Sequence, residues 1–273
     1  MAYQPFAPQL GCKYVLLGTD GVTRAVFNDS TDADYVGVLS EITGLDSAEV
    51  RESADDLPQA DGGWHGQFWY GRRPITMTIQ VANVSSNVDR DTKLDKLRRA
   101  SNALRADATL QWQNNPTTSN PGMQTWVRRQ QPLRITGGWV KTIQLALVSQ
   151  YAPLFSQTAH ASAGTASGTP VIVENVGDYA SYPVVRVAGP STNPQVAVTG
   201  GGTLKTTGLT IASGHYVDFD CLNHSAVDDT GVSMNRYIDY ANITLWPSLA
   251  KGNNTFTLTG GGTMTVFWRD AWS

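Results

Sequence analysis

Charge is scarce in this chain. Its 273 residues carry 20 Lys and Arg against 23 Asp and Glu, 16% in all, for a net charge of -3. A field this weak gives no broad footprint for nucleic acid or anionic lipid. Cysteine is scarcer still: Cys12 and Cys221 stand far apart and build no disulfide framework. Two buried free thiols of a protein made in a reducing cytoplasm are the expectation, with a single bridge between them as the alternative. No apolar run reaches the roughly 20 residues a bilayer requires, so membrane insertion is not expected. The first residues carry no Lys or Arg, and Pro5 and Pro8 break their apolar run, which is not the pattern of a secretory signal.

Catalytic signatures are missing as well. The chain has no G-x-S-x-G, no G-x-G-x-x-G and no G-x-x-x-x-G-K-[ST], which leaves hydrolase and nucleotide readings without support. His65, His160, His215 and His224 are scattered, without the spacing or the Cys and carboxylate partners of a zinc site. Asp29, Asp32 and Asp34 have the outline of a calcium loop. Counting from Asp32, however, Val36 and Thr43 occupy places where oxygen ligands are needed, so a solvated loop is the reading. Ser248 and Lys251 spell S-x-x-K between Pro247 and Gly252, which makes a turn and not an acylating helix. Asp218 and Asp220 share a strand face with no opposed carboxylate in view, which argues against a glycoside hydrolase. No catalytic residue, metal or cofactor is expected.

What is abundant is turn chemistry. With 26 Gly and 13 Pro among 41% hydrophobic residues, many short strands are implied. Lys13–Leu17 and Thr23–Phe27 flank Asp20-Gly21 as a hairpin, and strand candidates follow at Val36–Ile42 and Ala48–Glu52. Ile75, Met77, Ile79 and Val81 alternate with polar residues, the period of a half-buried strand. A single helix is predicted over about 89–106, because Leu94, Leu97, Ala100, Ser101 and Leu104 recur at three- and four-residue steps. Thr109–Gln113 and Thr125–Arg129 flank a polar loop and read as a protruding hairpin over about 109–129. Leu133–Thr136 and Val140–Ser149 form another around Gly137-Gly138, with Lys141, Gln144 and Ser149 expected to be wet.

Residues 157–170 include no large apolar side chain and read as a linker between a domain over 1–156 and one over 171–273. Beyond the linker, strands are expected at Val171–Glu174, Pro183–Ala188, Gln195–Thr199, Thr203–Thr206, Tyr216–Asp220, Asn242–Leu245, Thr255–Thr259 and Met264–Arg269. The pentapeptide Thr-Gly-Gly-Gly-Thr occurs at Thr199 and again at Thr259, each copy read as a hairpin turn. The fold class is therefore mainly β with one helix, the second domain a β-sandwich or jelly roll.

The order of these pieces resembles a family. Tyr182-Pro-Val-Val-Arg-Val-Ala-Gly189, Asn193-Pro-Gln-Val196, Ser213–Asp220, Leu245–Asn254 and the ending Phe267-Trp-Arg-Asp-Ala-Trp272 are similar to the distal tail proteins of long-tailed bacteriophages. In the first half, Leu57-Pro58, then Gly71-Arg-Arg-Pro-Ile-Thr-Met-Thr-Ile79 and a charged helix are similar to that family's ring-forming domain. The resemblance implies a galectin-like second domain and a structural protein without enzyme activity. It implies a ring of six copies, located at the tail tip of the virion and assembled in the cytoplasm of the bacterial host. Its partners would be sister copies, the tail tube protein, the tape measure protein and tail-tip or receptor-binding proteins, with genome DNA only passing through the lumen.

The aromatics and arginines are the candidate contact residues. Trp64, Phe68, Trp69 and Tyr70 cluster in one segment, and Trp246, Trp268 and Trp272 mark the end of the second domain. Core and subunit anchoring is the favoured role for both groups. The alternative is a carbohydrate-binding tail protein that recognises host wall glycans through the last three. Arg72, Arg73, Thr76, Arg98, Arg99, Arg128 and Arg129 are the candidates for the ring interface. Ion pairs between copies are favoured there over contact with passing DNA.

Overall fold

The structure is a computed structural model describing residues 12–46, 48, 50–56, 63–81, 85–104, 106–113, 122–241 and 246–273, those of 50–56 and 63–69 by backbone alone. The chain divides into two compact units, residues 1–157 and 158–272.

The first unit contains β1 (Lys13–Leu17), β2 (Thr23–Phe27), β3 (Tyr35–Thr43), β4 (Val50–Asp56), β5 (Gly63–Tyr70), β6 (Arg73–Val81), helix α1 (Asn87–Ala103), β7 (Ala108–Gln113), β8 (Met123–Arg129), β9 (Arg134–Thr136), β10 (Lys141–Ser149) and β11 (Leu154–Ser156). Among the described residues, seven strands run β8-β7-β1-β2-β3-β6-β10, and β10 returns to β8 through Val148–Arg128 and Leu147–Arg129. A sheet that pairs with its own first strand has no edge there, so the result is a barrel. The strand pairs of this barrel are antiparallel except β2–β3. Alternation fills the inside: Ile75, Met77, Ile79 and Val81 on β6 are buried, as are Leu145 and Leu147 on β10 and Leu110 on β7. Among the described residues, β4 and β5 pair only with each other.

Helix α1 starts where Ser86 caps it, its hydroxyl accepting from the Asp89 amide at 3.1 Å. It packs on β2, β3 and β6 through Leu94, Leu97, Ala100 and Ser101, the face its periodicity gives. Its first turn carries Asp89 and its last turn has no basic residue. The hairpin expected to protrude over 109–129 belongs in its strands to the barrel wall, with Leu110, Trp112 and Val127 buried; its tip, 114–121, lies outside the described residues. Ser149, expected to be wet, is fully buried and shares a 2.9 Å hydrogen bond with the Thr125 hydroxyl.

The second unit comprises β12 (His160–Ala161), β13 (Thr165–Ala166), β14 (Val171–Asn175), β15 (Val184–Val198), β16 (Thr203–Lys205), β17 (Thr210–Ile211), β18 (Tyr216–Asp220), β19 (Ser225–Asp228), β20 (Gly252–Trp268) and β21 (Ala271–Trp272). Its spine is the antiparallel pair β15–β20, and two expected strands merge in each. Val184–Ala188 and Gln195–Val198 are the two ends of β15, while Thr255–Thr259 and Met264–Trp268 lie within β20. β18, β17 and β16 line successive stretches of one side of the spine, and β12, β13 and β14 line the other. The expected sandwich is thus one curled sheet, bent where its register shifts at 188–195. Its core holds Val185, Val187, Phe219, Phe256, Leu258 and Val266. The strand expected at Asn242–Leu245 lies outside the described residues.

Two expectations change here. Residues 158–170 are not a free linker, because β12 and β13 pair with β20, and the Ser162 hydroxyl accepts from the Val266 amide at 2.9 Å. Backbone pairing orders this stretch where side-chain burial could not. The second Thr-Gly-Gly-Gly-Thr is no hairpin turn, as it continues as the corner of β20. Gly262, at φ +78°, lies so close to β15 that a Cβ would stand 2.2 Å from the Ala188 carbonyl oxygen. The first copy does make the β15–β16 turn, closed by Val198 N to Gly202 O at 3.0 Å.

Candidate functional site

The arginines at the start of β6 and the end of β8 meet where β8 closes on β10. Arg73 is fully buried. Its Nε and Nη2 donate to the Ala152 carbonyl at 3.0 and 2.8 Å, and its Nη1 donates to the Leu45 carbonyl at 2.8 Å. Burial lowers its pKa to about 10, with Asp46 acting in the opposite direction, so the group stays charged at neutral pH. A buried guanidinium spent on four backbone bonds, the fourth from Nη1 to the Gly44 carbonyl at 3.4 Å, ties the 44–45 and 150–152 loops to the barrel. Arg73 therefore leaves the set of surface candidates.

Arg72, one residue earlier, is exposed and lines a cavity of about 130 Å³ with Asp107, Arg128, Val148 and Gln150. Arg128 grips Asp107 in a two-pronged pair, its Nη2 at 2.7 Å from Oδ2, and this pair raises its pKa. The pair is half exposed, which limits its worth to stability. Arg129 turns instead to helix α1, its Nη1 donating to the Ser101 hydroxyl at 2.7 Å. Arg98 pairs with Asp95 at 2.9 Å, while Arg99 is exposed and makes no ion pair among the described residues. Thr76 is exposed on the outer face of β6. The structure thus brings Arg72 and Arg128 together and leaves Arg98 and Arg99 on the helix.

In the acidic loop the Lys13 ammonium lies 3.0 Å from Asp29 and 2.8 Å from Asp32. Thr31 and Lys13 hold the Asp29 carboxyl down at about 2. Cys12 and Cys221 are both buried, and burial pushes Cys221 well above the usual thiol range.

In the second unit the tryptophans are engaged. Trp246 is 9% exposed and stacks on His224 at 5.1 Å. Trp268 stacks on His160 at 5.2 Å and donates its indole N–H to the Glu174 carbonyl at 2.9 Å. Trp272 is half-buried. Each of Trp246 and Trp268 thus has one ring face against a histidine. Asp218 and Asp220 are no acid pair: Arg186 holds Asp218 at 2.7 and 2.8 Å, and Asp220 accepts from the Leu222 and Asn223 amides.

Two features had no warning in the sequence. Arg186 lies 3.8 Å over the Tyr216 ring and 5.3 Å from Phe267, a stacked cation built across three strands. Residues 186, 216 and 267 become neighbours only through the β18–β15–β20 register, which no local pattern reveals. Likewise Asp107 and Gln150 join Arg72 only because β8 closes on β10.

No protein-family model and no curated protein sequence matches the chain. Solved structures do match it in fold. One is the Dit protein (gp 19.1) of SPP1, described as a paradigm of the hub adsorption apparatus in phages infecting Gram-positive bacteria. The two share 13% identity over 95% of this chain and 99% of that one, with a TM-score of 0.67. A chain of the phage P2 baseplate in its activated conformation with Ca shares 8% identity over 95% and 98%, at a TM-score of 0.55. The same baseplate with Sr gives 8% identity over 94% and 97%, at 0.52. From the barrel to the curled sheet, this chain has the mainly β fold of a phage hub protein.

Proposed function

We propose that the protein is a structural component of a phage tail, a distal tail hub whose copies close into a ring, six in number. The single observation that carries this reading is the match to the SPP1 hub protein across 95% of this chain and 99% of that one. A likeness limited to one unit would mean only a shared barrel or a shared curled sheet. Here both units appear in the same order.

In this reading the first unit forms the ring and the second stands outside it. The tail tube protein docks on one face and the tail-tip or receptor-binding proteins on the other, leaving a lumen for the tape measure protein and the genome. The work is positioning, which asks for no covalent chemistry. A ring needs two different patches per copy that meet head to tail and close after a full turn. Negative-stain microscopy of the purified chain at high concentration is the test. Uniform rings with a central hole support the reading, and open filaments or separate particles at every concentration oppose it.

A further inference from the structure

The described carboxylates of the first unit are nearly all matched within the copy. Among them, Asp20, Asp29, Asp32, Asp34, Asp89, Asp91, Asp95 and Asp107 each touch a Lys or Arg. Asp46 acts on Arg73, partly offsetting the lowering of its pKa by burial. Glu41 is the remainder. It is exposed on β3, beside a bulge between Leu39 and Glu41, and its side chain makes no ion pair or hydrogen bond among the described residues. A bulge of this kind re-aims side chains away from the alternation of the strand. Here it leaves Ser40 and Glu41 outside the core while Leu39 and Ile42 remain in it.

Arg72, like Arg99 and Arg134, is an exposed cation with no ion pair among the described residues, and of these three it is the one that lines a cavity, the notch of about 130 Å³ at the barrel seam. That volume is well below the roughly 300–1,000 Å³ of pockets that enclose small-molecule ligands. It suits one side chain. Arg72 and Arg128 bring two positive charges against the one negative charge of Asp107, so a single carboxylate would neutralise the site. Arg128 uses Nε and Nη2 on Asp107, which leaves Nη1 outside that pair.

Glu41 cannot supply that carboxylate to its own notch. It stands opposite Thr78, six residues along β6 from Arg72. At roughly 3.3 Å per residue this is a separation of about 20 Å, far beyond a glutamate's reach. We propose that the notch formed by Arg72, Arg128 and Gln150 receives the Glu41 carboxylate of the adjacent copy. These are the two unlike patches a head-to-tail contact requires. The inference rests on the ring reading and deepens it by naming the contact.

Charge reversal tests it by sedimentation velocity of the full chain at low and high salt, on wild type, Arg72→Glu, Glu41→Arg and the double variant. Like charges placed face to face oppose association, so each single change is expected to weaken it about tenfold or more, and the double change to restore most of the loss. High salt is expected to weaken the wild type and the double variant alike. Arg72→Ala, with a smaller loss in the same direction, separates a lost contact from a misfolded chain. If the wild type assembles but the single reversals assemble equally well, or the double is no better than the worse single, this contact is wrong and the ring stands. A wild type that is monomeric at all concentrations removes the ring and the contact together. Retardation of a short DNA duplex that Arg72→Glu abolishes, with assembly unchanged, would show the notch holding phosphate instead and overturn the proposal.

Discussion

The two units curl a β-sheet by opposite means. In the first, the sheet closes on itself where β8 meets β10, and a fully buried Arg73 draws the neighbouring loops in through their carbonyls. In the second, the sheet bends at a corner where side chains are absent, Gly260, Gly261 and Gly262 all holding positive φ. A polar clamp adds atoms to the bend, whereas a glycine corner removes them. The first kind should fail when atoms are taken away and the second when atoms are put in.

The largest effect is expected from Arg73→Met. It leaves the Leu45 and Ala152 carbonyls unpartnered in a buried site, for a loss of about 3–5 kcal/mol, read from urea unfolding. A loss below about 1 kcal/mol would mean that Arg73 is not a clamp. Next comes Gly262→Ala, which inverts the operation by adding a methyl group. The Cβ would stand 2.2 Å from the Ala188 oxygen at a φ of +78°, and about 3 kcal/mol of destabilisation is expected. Gly200→Ala sharpens the contrast, because the same pentapeptide there has open space at φ +75°. Only the backbone penalty remains, about 1 kcal/mol by the same measurement. Equal losses at Gly200 and Gly262 would refute the distinction between turn and corner.

The smallest effect concerns the exposed clamp at Lys13. The Asp29 carboxyl is held near 2 by the Thr31 hydroxyl and by Lys13, below its unfolded value of about 4. A depressed carboxyl contributes stability that is present in full above about pH 4 and is lost as pH falls through about 2. Lys13→Met should move the Asp29 midpoint upward in a carbon-detected NMR titration while leaving stability at pH 7 nearly unchanged. An unmoved midpoint would assign the shift to Thr31 alone.

Legibility followed the range of the forces involved. The helix face of Leu94, Leu97 and Ala100 and the alternation of Ile75 to Val81 are short-range patterns, and the structure contains both. The merging of two expected strands in β15 and in β20 was not legible. Pro190, Pro194 and the three glycines read locally as breaks, and only the partner strand makes them a bend. For the same reason residues 157–170 read as a linker: nothing in Ala-Ser-Ala-Gly-Thr-Ala-Ser announces pairing with β20. At the candidate interface, Arg72 and Arg73 are adjacent and alike in sequence, yet one is exposed and the other fully buried. That difference arises from strand alternation at the seam, which appears once β8 has closed on β10.

The central claim is that copies of this chain complete one another in a ring. Native mass spectrometry of the purified full-length protein measures it most directly. The account predicts a dominant species at six times the 29.5 kDa chain mass, with no ladder of larger open assemblies. A single-chain mass at every concentration, unchanged in the presence of the tail tube protein, would contradict it.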